Sequence, residues 1–281
     1  METHVFLAVL LAALLHAGWN ALVKGGVKKH VNMAAVVIGH LPLALLVLAL
    51  FPAPSPESWA WIAAGIALHG GYQIFLLFAY QAGDFSQVYP LARGSAPLIV
   101  TAASVLFLGT ALSLGELIGV LLIAAGILSL TFARGANGLH APRAVVLALI
   151  TGMFTAGYTL VDGIGARLSG SPLGFFAWIA VGNAVSFSVF MIVRHPADFW
   201  RLPRTSWTVF LVGGSASFSA FAIAVWAFTQ APIALVAALR ETSIVFALLI
   251  GVFVFRERLD ATKILAVLLT LGGAALLRLS G

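Results

Sequence analysis

Ten long apolar stretches organise the chain, each closed by short polar or Pro/Gly punctuation. They run roughly over 4–24, 32–52, 58–81, 86–108, 113–133, 143–166, 172–194, 206–229, 233–255 and 260–279. About 20 apolar residues suffice for a helix to cross the ~30 Å hydrocarbon layer. Backbone in hydrocarbon must satisfy its own hydrogen bonds, so the pattern predicts ten transmembrane helices and an all-α membrane protein. A β-barrel would need ten-residue segments of alternating polarity, and the chain has none. The connectors are tight: Ala82-Gly83-Asp84-Phe85 alone joins runs three and four. Run one begins Met1-Glu2-Thr3-His4, with no Lys or Arg, and meets its positive charge afterwards at Lys24, Lys28 and Lys29. A secretory leader has the reverse order, so run one is read as a retained helix.

The pattern repeats. An offset of 147 residues lays Arg240 on Arg93, Leu259 on Leu112, Leu269 on Leu122 and Gly273 on Gly126. An offset of 139 lays Ala156-Gly157-Tyr158 on Ala17-Gly18-Trp19. Two units of five helices follow, 1–135 and 140–281. Five is odd, so the second copy crosses the membrane in the opposite sense to the first. Inverted repeats of this kind build many secondary transporters, with the solute site at mid-membrane between the repeats.

Composition narrows the classes. The chain is 62% hydrophobic and 9% charged, too little charge to cover a soluble surface. The net charge of +6 is therefore a topology signal. Nucleic acid is excluded as a partner, because no basic patch sits on a polar scaffold. With no cysteine there is neither a thiolate metal site nor a disulfide. Of fifteen Lys and Arg, eleven lie in the odd-numbered connectors, two at the opposite ends (Arg167, Arg278) and two inside runs. This bias predicts cytosolic odd connectors and both termini outside, which for a bacterial protein is the periplasm.

The two interior arginines are Arg93, in Gln87-Val88-Tyr89-Pro90-Leu91-Ala92-Arg93-Gly94-Ser95-Ala96-Pro97, and Arg240. Each costs roughly 2.5–3.5 kcal/mol at a helix centre. Borne twice at matching places, the cost points to use: attraction of an anionic group such as a carboxylate into a central cavity. The alternative is a structural arginine capped by neighbouring carbonyls. Counted from the helix starts, Arg93 falls on the cytosolic side of the midplane and Arg240 on the outer side. Glu241 points about 100° away from Arg240, so it pairs across helices or takes a solute amine. Pro90, Gly94 and Pro97 predict a kink in run four that run nine, without proline, lacks.

Run three carries His69, Tyr72, Gln73, Leu76 and Tyr80 on one helical face. That face predicts a cavity wall that stacks on an aromatic or hydrophobic solute; a packing seam is the alternative. Run eight offers a similar stripe, Ser215, Phe218, Ser219, Ala222 and Trp226. Tyr89 sits one turn before Arg93. His16, Trp19 and Asn20 in run one match Tyr158 and Thr159 in run six, and His16 reads as a packing residue. Asp162 reads as a hydrated helix end, and His40 beside Pro42 as a local break. Gly115 and Gly119 read as close helix contacts. Trp59, Trp61, Trp200 and Trp207 read as interfacial anchors.

Three motifs resemble the drug/metabolite transporter superfamily in its EamA-type, ten-helix branch. They are Leu15-His16-Ala17-Gly18-Trp19-Asn20-Ala21-Leu22-Val23-Lys24, Phe253-Val254-Phe255-Arg256-Glu257-Arg258-Leu259, and Leu268-Leu269-Thr270-Leu271-Gly272-Gly273. Thr110 departs from the pattern where the family has a glutamate; Glu257 keeps it. The resemblance implies export of small metabolites or amphipathic toxins across a bacterial inner membrane, and one branch exports aromatic amino acids. It also implies that paired helices of the two repeats flank the site. A secondary transporter working by alternating access is the leading expectation, with a small-molecule solute and the lipid bilayer as partners. No cofactor and no obligate protein partner are expected. No Gly-x-x-x-x-Gly-Lys-Ser/Thr loop is present for direct use of ATP. An intramembrane lipid-modifying enzyme would need paired acid/base or metal-spaced residues, and a passive channel would need rings of like residues.

Overall fold

The computed structural model describes residues 1–24, 28–83, 85–132, 142–256 and 259–280. Arg134, Glu257, Arg258 and the proposed boundary between repeats lie outside the described residues. Among the described residues there are thirteen α-helices, and twelve of them build ten candidate spans. Seven spans contain one helix each: α1 (Thr3–Lys24), α4 (Trp59–Ala82), α5 (Phe85–Phe107), α6 (Leu114–Phe132), α7 (Pro142–Leu168), α8 (Pro172–Arg194) and α13 (Ala261–Ser280). Span two is split into α2 (Lys29–Ile38) and α3 (Leu41–Leu50). Span eight starts as a wide turn over Val209–Gly213 and continues as α10 (Gly214–Gln230). Span nine is split into α11 (Ile233–Arg240) and α12 (Ser243–Phe253). The short α9 (Pro196–Thr205) joins spans seven and eight at one end of the bundle.

The packing carries the repeat. Number the spans one to ten and shift each by five. The pair α1·α10 then maps onto α4·α7, and α1·α12 onto α5·α7. The pairs α6·α13, α3·α8 and α5·α11 map onto themselves. The α6·α13 seam is built on small residues, as Gly115 and Gly119 predict. A Cβ on Gly119 would stand 3.0 Å from Gly273 O, and one on Gly126 would stand 2.9 Å from Ala266 O.

The breaks differ from expectation in one respect. Span two breaks at Gly39 and His40, before Pro42, as the sequence predicts. A Cβ on Gly214 would stand 2.6 Å from Gly39, so two backbones cross there with no side chain between them. Span four, however, stays one helix with Pro90 and Pro97 inside it. Proline-free span nine is the one that breaks. Its chain tightens to shorter bonds, with Glu241 N–H donating to Ala238 O and Thr242 N–H to Leu239 O, both at 3.0 Å. The Thr242 hydroxyl donates to Leu239 O at 2.7 Å. Side-chain competition for a carbonyl thus ends the helix where no proline does.

Each end of the bundle has a cationic clasp. At the end bearing the termini, Arg167 Nε donates to Phe228 O at 2.8 Å and Nη2 to Ala231 O at 2.9 Å. At the opposite end, Lys29 Nζ donates to Tyr80 O at 3.0 Å. Both cations sit on the carbonyl-rich C-terminus of the third helix of a repeat, where the helix dipole favours positive charge. Trp59 and Trp207 at span ends and Trp200 on α9 are exposed, as interfacial anchors would be, whereas Trp61 is half-buried against the core.

Candidate functional site

The centre of the bundle is polar. Where α5 faces the break in span nine, Arg93 Nε donates to Glu241 Oε2 at 2.9 Å, and Nη2 stands 2.9 Å from Oε1. Both residues are buried, at 4% and 6% exposure. The Nη2 contact is close but poorly aligned, so that nitrogen lacks a proper hydrogen bond. Arg240 lies in the last turn of α11, where the helix C-terminus favours its charge. Its guanidinium stands 5.1 Å over the Phe221 ring, a cation–π contact. Among the described residues no carboxylate lies within ion-pair distance of it. Arg93, Arg240, Glu241, Tyr158, Thr155 and Thr159 enclose a cavity of about 10 Å³, near the size of one water. The Tyr158 hydroxyl is buried without a partner. The hydroxyls of Thr151, Thr155 and Thr159 each donate to the carbonyl four residues earlier, which lets α7 carry a polar stripe at depth.

A second buried pair abuts the first. His69 Nε2 lies 2.7 Å from Asp162 Oδ2, joining α4 to α7. The His69 ring stacks on Tyr158 at 4.0 Å and 21°. Beyond this ring wall a further cavity of about 40 Å³ is lined by Trp19, His40, Tyr72, Gln73, Asn183 and Phe221, among others.

At the bundle end opposite the termini, Lys28 Nζ donates to Asp198 Oδ1 at 2.7 Å, and His30 Nε2 lies 2.9 Å from Oδ2. The Lys28 and His30 hydrogen bonds hold the Asp198 carboxyl down at about 2. The His195 ring stacks on His30 at 4.1 Å; burial, then the neighbouring His30, pulls its pKa down. His30, His195 and Asp198 offer ligand atoms within 4.8 Å of one another and are the residues here that could hold a divalent metal. The sequence does not signal them, because His30 comes from a distant segment, and His195 and Asp198, three residues apart, make no ligand set alone.

The chain matches the EamA-like transporter family twice, over residues 4–132 and 142–279. It belongs to that family. No curated protein matches it. Among solved structures, one crystal structure of a protein aligns with a TM-score of 0.76 at 20% identity. The alignment covers 99% of this chain and 98% of the other, and at that identity it speaks for the fold alone. EamA-like proteins are transporters of small solutes, and the two matches fall on the two halves related by the repeat.

In this EamA-like transporter the predicted residues separate into groups. Arg93, Arg240, Glu241 and Tyr158 come together in one cavity. His69, Tyr72, Gln73 and Trp19 line the neighbouring cavity. Tyr89 is half-buried, one turn before Arg93. Others stand elsewhere. Asn20 Nδ2 donates to its own helix at His16 O, at 2.8 Å. The Tyr80 carbonyl serves the end clasp, with Lys29 Nζ also 5.2 Å from its ring. Ser219 and Trp226 face an apolar groove of about 390 Å³ with Leu46 and Leu173. The cavity-facing pair of α10 is instead Ser217 and Phe221. Asp162 is no hydrated helix end, being 1% exposed and bonded to His69. Asn183, an amide in the middle of run seven, was a readable signal; Phe221 had none.

Proposed function

We propose that the protein is a secondary transporter that exports small amphipathic carboxylates or zwitterions, amino acids among them, by alternating access. The repeats 1–135 and 140–281 would move against each other around the central charges. The charge bias places the odd connectors in the cytosol and both termini in the periplasm of a bacterial inner membrane.

One observation carries this reading: Arg240 is buried at 8% exposure with an aromatic face and, among the described residues, no carboxylate within ion-pair distance. Arg93 and Glu241 neutralise each other, so the cluster around the small cavity has one positive charge over. Burying such a charge is costly unless it is paired. A solute carboxylate supplies the counter-charge without breaking the Arg93–Glu241 pair, and a solute ammonium would find Glu241 beside it. Ring faces of Tyr158, Phe221 and His69 offer the apolar body its contacts.

The test is flux into proteoliposomes. Saturable uptake of L-phenylalanine is expected, with its amide, which carries an uncharged carboxamide in place of the carboxylate, showing far less saturable uptake. Arg240→Gln should remove that preference. Equal flux of acid and amide would refute the anion seat.

A further inference from the structure

Trp19 Nε1, His40 Nε2, Gln73 Oε1 and Asn183 Oδ1 are all buried, and none has a hydrogen-bond partner. The four residues are 8, 8, 7 and 5% exposed. They come from α1, the break in span two, α4 and α8, and all line the one cavity of about 40 Å³. Native proteins leave few buried polar atoms unpaired, and each invites an explanation. The four residues that carry them line a single void, and an occupant of that void could offer them partners.

The lining defines what that is. It holds no Asp, Glu, Lys or Arg, so it offers no counter-charge and suits a neutral group. Trp19 can only donate, the two amide oxygens accept, and His40 does either according to its tautomer. A carboxamide matches this set: two N–H donors for Gln73 and Asn183, one carbonyl for Trp19. A hydroxyl meets one acceptor and one donor. The volume holds a group of that size and no ring. The wall toward the charged centre is one ring thick. Phe221 lines this cavity, carries Arg240 on its face at 5.1 Å and lies near-parallel to Phe176 at 5.8 Å and 14°. An apolar body taking the place of that ring would span both compartments and keep the same contacts.

We propose that this cavity is a second solute subsite. It takes the neutral hydrogen-bonding end of a solute whose carboxylate lies at Arg240, and it prefers a carboxamide over a hydroxyl over none. The inference rests on the transport reading above.

Equilibrium binding to the purified full chain in nanodiscs tests it with L-phenylalanine, L-tyrosine and para-carbamoyl-L-phenylalanine. The Kd should fall in that order, by about three- to tenfold for each hydrogen bond gained. Asn183→Leu and, separately, Gln73→Leu should compress the spread between the three solutes. The wild-type series decides the matter even if a variant folds poorly. Equal Kd for all three, with saturable phenylalanine flux, overturns the subsite and leaves transport standing; the void then holds water only. Binding of none of the three overturns the carboxylate seat, and the subsite with it.

Discussion

Removing one partner of the Arg93–Glu241 pair should destabilise the protein far more than removing both. The pair makes contacts of 2.9 Å through both carboxylate oxygens at 4% and 6% exposure, so bulk water cannot take over either role. Breaking a buried pair from one side costs about 3–5 kcal/mol, because an uncompensated charge is left in low dielectric. Glu241→Met is the harsher single change, since it leaves Arg93 and Arg240 together without an anion. At roughly 2–4 °C per kcal/mol for a large domain, the single variants should melt about 6–20 °C lower. Arg93→Met with Glu241→Met removes both charges and fills the space with apolar side chains of comparable length. Such replacements of buried pairs are often neutral or stabilising, by about 1–4 kcal/mol. The double variant should therefore melt near wild type while losing solute flux. Thermal unfolding in detergent followed by fluorescence of the seven tryptophans reads stability, and proteoliposome uptake reads function. Additive losses in the double variant, or single variants within about 1 kcal/mol of wild type, would refute the dry, coupled pair.

Other outcomes follow from particular contacts. Asp198 has a depressed carboxyl pKa, about 2, so the stability it contributes is present above the ordinary carboxylate range and lost as pH falls through about 2. Asp198→Asn should remove that part of the melting-temperature loss between pH 5 and pH 2, and high salt should shrink the wild-type effect; an unchanged pH profile would show that the Lys28–Asp198–His30 latch is idle. Gly273→Val should lower stability by about 1–3 kcal/mol or more through overpacking, since a Cβ there meets Gly119 O at 2.5 Å and the Ile123 side chain at 2.7 Å; a melting curve matching wild type would show that the α6·α13 seam can open. The chain has no native cysteine, so Glu2→Cys and Trp200→Cys report sidedness cleanly. An impermeant maleimide added to intact cells should label position 2 and spare position 200, and the reverse pattern would invert the charge argument.

The ten spans, the fivefold shift that relates them and the two matching arginines were all written in the sequence. Each is local or periodic: hydropathy over some twenty residues, a helical face, or an offset between positions. The partner of each charge was not. Glu241 reaches Arg93 because α11 stops at Arg240, and it stops because Thr242 bonds back to Leu239 in a segment that carries no proline. Asp162 reads as a helix end from its position in run six, yet Gly65 leaves room beside it and His69 faces it from α4. On α10 the stripe through Ser219 and Trp226 was a true helical face, but its rotation, set where Gly39 crosses Gly214, turned Ser217 and Phe221 inward instead. Periodicity fixes which residues share a face. Which face meets which neighbour depends on close approaches between distant glycines and on helix breaks, and only the packed bundle decides those.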